Sequence, residues 1–165
     1  MRAVMTGNHD RPYRDRRATT WRAARATDPK GPTVSQAEQN AAIVRRGYDA
    51  FNTADMATLT ELMHDNVTWH TPGRSHLAGA HKGRDATFAH FGQYGGETAG
   101  TFKAALLDVI AGDDDTVIAL HHNTGERNGK QLDVYCAVVF ELDDAQLTDA
   151  REYFFDLYAW DEFWA

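Results

Sequence analysis

Leu147–Trp164 reads LTDAREYFFDLYAWDEFW. Tyr153, Phe154 and Phe155 stand in a row, and aromatic residues favour a pleated, half-buried surface. The first half therefore reads as a strand, and the second as an aromatic, acidic tail. A run apolar at consecutive positions is buried on both faces, or lines a cavity on one and a core on the other. One carboxylate, Asp156, stands inside this apolar run. A buried carboxylate must be paired, neutralised or used. The expectation is that Asp156 points into a pocket and is used there.

Three more strands lead up to this one. Phe102–Ala111 and Thr116–Thr124 flank a Gly-Asp-Asp-Asp turn, and Asn128-Gly129 is a hairpin signal before a third strand at 131–142. Before them the pattern is helical. Ser35 and Glu38 form a capping box, in which the Ser side chain meets an orphan N–H and the Glu reaches back. Ala42, Ile43, Val44, Gly47, Tyr48 and Phe51 then recur at helical spacing, predicting a helix over 36–53. Asp55 caps a second helix, with Met56, Leu59, Leu62 and Met63 inward. Residues 66–70 read as a strand with Val67 and Trp69 on one face. Residues 73–83 read as a Gly-rich loop, and Arg84 opens a third helix through Phe88, Phe91 and Tyr94, a segment that Gly95-Gly96 and Gly100 end. Helices followed by a meander of antiparallel strands predict an α+β fold. The helices must cover one face of a strongly curved sheet and leave a conical cavity.

Residues 1–34 stand apart. They hold eight Lys/Arg against three Asp/Glu, a net of +5, and show no sustained period. They read as a disordered or loosely docked basic extension, or as a short helix near Ala18–Ala26 anchored by Trp21. Residues 35–165 form the folded domain, with nine basic and 21 acidic residues, a net of −12. A body this acidic does not track a phosphate backbone, so no nucleic acid partner is expected. The single cysteine, Cys136, excludes an internal disulfide framework. No stretch approaches the ~20 apolar residues of a membrane span, and the N-terminus lacks the apolar core of a secretory signal. A soluble, cytoplasmic protein without a membrane partner is the expectation.

Four segments carry a family resemblance: residues 48–55 (YDAFNTAD), 62–69 (LMHDNVTW), 77–84 (LAGAHKGR) and 151–163 (REYFFDLYAWDEF). Together they resemble the SnoaL-like branch of the nuclear-transport-factor-2-like superfamily, over about residues 36–164. The resemblance implies a conical α+β barrel, with three N-terminal helices packed on a strongly curved, mostly antiparallel sheet. The superfamily includes polyketide cyclases, ketosteroid isomerases, limonene-epoxide hydrolases and non-catalytic binders, so fold alone leaves function open. The isomerases carry an Asp base before a Pro at the end of the first strand; here Thr71 precedes Pro72. Their oxyanion-hole Tyr falls near Gly47, with Tyr48 one residue out of phase. The epoxide hydrolases use an Asp–Arg–Asp set. Asp156 matches its last member, but the other two positions are His121 and Asn123. The cyclases rely on an acid/base carboxylate in a hydrophobic pocket, a plan this sequence retains.

Strand alternation places Val117, Ala119, His121 and Asn123 on one face. Asp156, His121 and Asn123 therefore form the candidate catalytic set. The carboxylate and imidazole would exchange protons, and the amide would orient a water or a carbonyl. Tyr48, Trp69, Phe88, Phe91 and Phe154 are the candidate substrate-binding walls, suited to a small hydrophobic, ring-containing ligand. A purely structural hydrogen-bonded cluster remains the alternative, and a bulge would exchange His121 for His122. His70, His76 and His81, or His121, His122 and Glu126, are conceivable metal ligands. Adjacent strand residues point to opposite faces, so neither metal nor other cofactor is expected. Asp113, Asp114 and Asp115 read as a solvated turn. The functional expectation is a small-molecule binder, with acid/base cyclase, isomerase or hydrolase activity left open. The alternative is a non-catalytic binding or interaction module of the same fold. The resemblance also implies a homodimer through the open sheet face.

Overall fold

Ser35 opens the first helix as its sequence demands. Its hydroxyl accepts from the Glu38 N–H, and the Glu38 carboxylate accepts from the Ser35 N–H, closing the capping box. The computed structural model describes residues 34–112 and 115–165. The expected helix at Ala18–Ala26, its anchor Trp21, and Asp113 and Asp114 of the acidic turn lie outside the described residues. The order of elements is α1 (Gln36–Thr53), α2 (Met56–Leu62), β1 (Met63–Thr71), β2 (Gly79–Lys82), α3 (Arg84–Glu97), β3 (Lys103–Ala111), β4 (Thr116–Arg127), β5 (Lys130–Asp143), β6 (Gln146–Phe154) and α4 (Leu157–Trp164). No helix among the described residues is long and apolar enough to cross a membrane.

The strands form one six-stranded sheet in the order β2-β1-β6-β5-β4-β3. Neighbours are antiparallel except β1 and β6, which run parallel. Register shifts between Leu106 and Asp108, Glu141 and Leu142, and Met63 and Thr68 interrupt three ladders. Such irregularities bend and twist a strand, and the sheet curls around its inner face. α1 packs on β3 and β4, α3 on β1 and β2, and α4 on β5 and β6. Among the described residues the result is a mixed α+β cone, with helices on the concave side and a convex side that none of them covers.

Two tight connections fix the register of the long strands. Asn128 and Gly129 both take positive φ, 51° and 78°, as the two-residue hairpin between β4 and β5 requires. Asp144 and Ala145 do the same between β5 and β6, at 46° and 63°. Alternation then decides each side chain's fate. Val117, Ala119, His121 and Asn123 of β4 point inward and are buried, as do Val134, Cys136, Val138 and Phe140 of β5.

Four local expectations need correction. The Gly-rich stretch at 73–83 is not wholly a loop, because Gly79–Lys82 pairs with β1 as an edge strand. Met56 does not face inward; it sits in the first turn of α2, 45% exposed, and Met63 belongs to β1. Gly95 and Gly96 do not end α3, which runs through them to Glu97. The aromatic tail is a fourth helix, α4, that buries Trp160, Phe163 and Trp164. Its apolar positions recur at 157, 160, 163 and 164, a helical period hidden behind the strand-like run before it. Arg127 and Lys130, flanking the β4–β5 turn, donate to backbone carbonyls of Glu162, Phe163 and Ala165, placing two cations at the negative end of α4.

Candidate functional site

A cavity of about 50 Å³ lies between the helices and the inner face of the sheet. A water needs ~10–15 Å³ in this measure, so the space holds a few waters. Its walls are mainly carbon, from Phe51, Phe91, Phe102, Phe140 and Trp69. Five polar side chains reach it: Tyr48, Tyr94, His121, Asn123 and Glu152.

Glu152 is the carboxylate of this cavity. It is inward-facing on β6 between Ala150 and Phe154, and 7% exposed. Burial pushes its pKa up to about 7, against the opposing pull of the Thr71 hydroxyl and the Trp69 indole. Thr71, the last residue of β1, donates its hydroxyl to Glu152 Oε2 at 2.6 Å. Thr71 Oγ1 also lies 3.0 Å from His90 Nε2, which is 2.8 Å from the Tyr94 hydroxyl. His90 is buried on α3, and burial, with the His81 imidazole stacked 3.8 Å away, lowers its pKa to about 3. The isomerase base position therefore holds a hydroxyl here, and that hydroxyl feeds a carboxylate from the adjacent strand.

A second polar group stands on β4. The Tyr48 hydroxyl and His121 Nδ1 are 2.6 Å apart. Burial lowers the His121 pKa to about 4; the nearby Asn123 amide offsets part of this and His122 adds to it. His121 is thus neutral at pH 7. Burial likewise holds the Tyr48 phenol well above its ordinary range, so it keeps its proton. The Tyr48 phenol can donate its proton to Nδ1, which would put the imidazole proton on Nε2. His121 Nε2, Asn123 Nδ2 and Trp69 Nε1 are all buried without a hydrogen-bond partner. Buried polar atoms normally have one.

Of the expected site residues, Tyr48, Trp69, Phe91, His121 and Asn123 come together around the cavity. Phe88 and Phe154 do not line it. Phe88 packs against the core behind it, and Phe154 stacks on Trp160 with ring centroids 3.9 Å apart. Asp156 is a correction. It is exposed, and its side chain accepts from the Ala159 N–H as the N-cap of α4. The strand ends at Phe154, so alternation no longer governs the direction of residue 156. The same period of two, followed backward from Phe154, reaches Glu152, and that signal was available. The choice between His121 and His122 resolves to His121. His122 lies on the outer face, 2.6 Å from Asp133 and stacked on Tyr135. Cys136 is a buried inner-face thiol whose pKa burial raises. Three other histidines are held elsewhere: His70 by Asp149, His76 by Glu97, and His81 against His90.

This arrangement has relatives. Residues 44–150 match the model of the SnoaL-like domain. An uncharacterized protein of Mycobacterium tuberculosis is 33% identical over 123 residues, covering 74% of this chain and 94% of that protein. Among solved structures, Bal32a from a soil-derived mobile gene cassette is 63% identical, with a TM-score of 0.79, covering 79% of this chain and all of that one. TerC, co-crystallized with polyporic acid, shares the fold at 19% identity and a TM-score of 0.67, over 76% of this chain and 97% of that one. A nuclear-transport-factor-2-like protein of Burkholderia xenovorans does so at 20% identity and 0.68, over 81% of this chain and all of that one. With residues 44–150, more than half of the chain, matched, this protein belongs to the SnoaL-like domain family.

Proposed function

We propose that the cavity binds a small, mostly apolar, ring-containing molecule bearing a carbonyl, and that Glu152 shuttles a proton on it. The observation that carries this reading is the buried Glu152, which shares an apolar cavity with the unpartnered nitrogens His121 Nε2 and Asn123 Nδ2. A carboxyl with a pKa of about 7 is half ionised at neutral pH. It can take a proton and return it, which is what general acid/base catalysis requires. The proton leaves a carbon beside the carbonyl for the Glu152 carboxylate, and the electron pair moves to the carbonyl oxygen. The His121 Nε2–H and the Asn123 amide would hold that oxygen as its charge develops. Return of the proton to another carbon completes an isomerisation; in a ring closure the enolate carbon bonds to a second carbonyl carbon of the same molecule, and Glu152 returns the proton to the alkoxide oxygen so formed. TerC, which shares the fold, was co-crystallized with polyporic acid, and that is in keeping with a small organic ligand.

The test is solvent-deuterium uptake into a panel of cyclic ketones, followed by mass spectrometry. Exchange that depends on the wild-type carboxyl and vanishes in Glu152→Gln supports the reading. Exchange unaffected by that change removes Glu152 from the chemistry. A second reading, a binder without turnover, draws on the small cavity and on the incomplete isomerase and hydrolase residue sets. It predicts ligand-induced thermal stabilisation that survives Glu152→Gln, with no exchange in either protein.

The convex sheet face carries Leu107, Ile110, Tyr135 and Tyr153, each 47–58% exposed. This apolar face suits a second copy of the chain, and we assign it to a homodimer. Light scattering at micromolar concentration tests this, and Tyr153→Asp should shift a dimer toward monomer.

A further inference from the structure

We propose that Thr71 and His90 are positioning residues. They form a two-bond strut that commits one oxygen of Glu152, Oε2, as an acceptor and leaves Oε1 to handle the proton. The inference rests on the reading of Glu152 as the proton carrier and goes beyond it to two residues with no role there. Three elements meet at this point: the end of β1, the middle of α3 and the inward side of β6.

The hydrogen inventory fixes the direction of the strut. A threonine hydroxyl has one proton, and Thr71 gives it to Glu152 Oε2 at 2.6 Å. Its 3.0 Å contact with His90 Nε2 then needs a proton from the imidazole. His90 is therefore assigned the Nε2–H tautomer, its N–H toward Thr71 Oγ1; the Tyr94 hydroxyl, which burial keeps protonated, lies 2.8 Å from the same nitrogen. His90 Nδ1 is left buried and unpartnered. A bare acceptor is the less costly group to leave so, since orphaned buried N–H groups are the rarer kind. Thr71 is bonded to Oε2 alone, and the Trp69 indole is the other group that pulls on the carboxylate, so a proton gained on Oε1 does not disturb the strut.

The groups facing this cluster are Tyr48 of α1, Trp69 of β1, His81 of β2, Tyr94 of α3 and Cys136 of β5. None is an Asp, Glu, Lys or Arg. The strut is thus the main hydrogen-bonded support of the ionised carboxylate. A hydrogen bond to a charged group is worth roughly a tenfold change in an ionisation equilibrium.

The test reads the proton, not turnover, in the full-length protein. Carbon-13 NMR of labelled glutamate side chains, assigned by difference against Glu152→Gln, follows the Glu152 midpoint. Thr71→Val should raise it by about one pH unit, a tenfold change, and Thr71→Ser should restore it. His90→Phe should move it the same way by less. Nitrogen-15 spectra of the unmutated protein should show His90 as Nε2–H throughout pH 5–8. An unmoved midpoint in Thr71→Val, or a His90 carrying its proton on Nδ1, overturns the strut. Loss of deuterium exchange in Glu152→Gln bears on the catalytic reading alone, so the two fail independently.

Discussion

Tyr48 on α1 and His121 on β4 are joined across the inner face of the sheet by a single hydrogen bond of 2.6 Å. Tyr48→Phe removes the donor and leaves His121 Nδ1 buried without a partner. The expected loss is about 1–3 kcal/mol, the cost of an unsatisfied buried polar group. Urea denaturation measures it. The same variant should let the His121 proton divide between its two nitrogens, visible in nitrogen-15 spectra.

Glu152 ties stability to pH with a definite sign. Its pKa is about 7 in the folded protein against an ordinary 4.5. Its contribution is fully present below pH 4.5 and is lost as pH rises through 7. Glu152→Gln has no such loss. It should be more stable than the parent at pH 8 by about 3 kcal/mol, with the gap closing by pH 4. Thermal denaturation at a series of pH values decides this, and a gap independent of pH would refute it.

The two buried histidines act in the opposite sense. His121 and His90 fall to about 4 and about 3 from an ordinary 6.5. Their contribution is present above pH 6.5 and is lost as pH falls through those values, because the unfolded chain takes protons that the folded one refuses. Acid should therefore unfold the protein progressively below pH 6.5. His121→Phe should blunt that dependence by close to one bound proton, read from the slope of stability against pH.

Asp156 separates a structural carboxylate from a chemical one. Asp156→Ala should cost about 1 kcal/mol through loss of the α4 cap. It should leave any deuterium exchange at the cavity intact. A variant of normal stability, or one without exchange, would count against this division of roles.

The closing helix, α4, buries Trp160, Phe163 and Trp164. Trp160 is wholly buried against Phe154, Tyr94 and Phe102. Trp160→Ala should cost about 3–5 kcal/mol. Gly73 holds φ +115° against Asp161, whose carboxylate accepts from the Arg74 and Ser75 N–H groups. Gly73→Ala strains the backbone and presses on that carboxylate, and should cost more than about 1 kcal/mol in chemical denaturation.

Much of this architecture was legible in the residues themselves. Ser35, Asp55 and Asn128-Gly129 announce their helices and hairpin through side-chain chemistry that acts within four residues, and those features stand where expected. His121 and Asn123 were legible through strand alternation, which the unbroken β4–β5 ladder preserves. Asp156 was misplaced because the end of a strand depends on what the following helix buries, and no local signal reports that. The partners of Glu152 were equally hidden. Thr71 and His90 come from 81 and 62 residues earlier in the chain, and only the parallel pairing of β1 with β6 and the docking of α3 bring them to it.

The β5–β6 turn at Asp144 and Ala145 carries an unusual responsibility. Lengthening or shortening it by one residue would present Arg151 or Tyr153 to the interior and carry Glu152 to the convex surface. Drift in the chemistry of that turn is tolerable so long as its backbone handedness survives. A change in its length would erase the acidic centre in one step, so relatives that keep an interior acid should be invariant in loop length where they are free in loop composition.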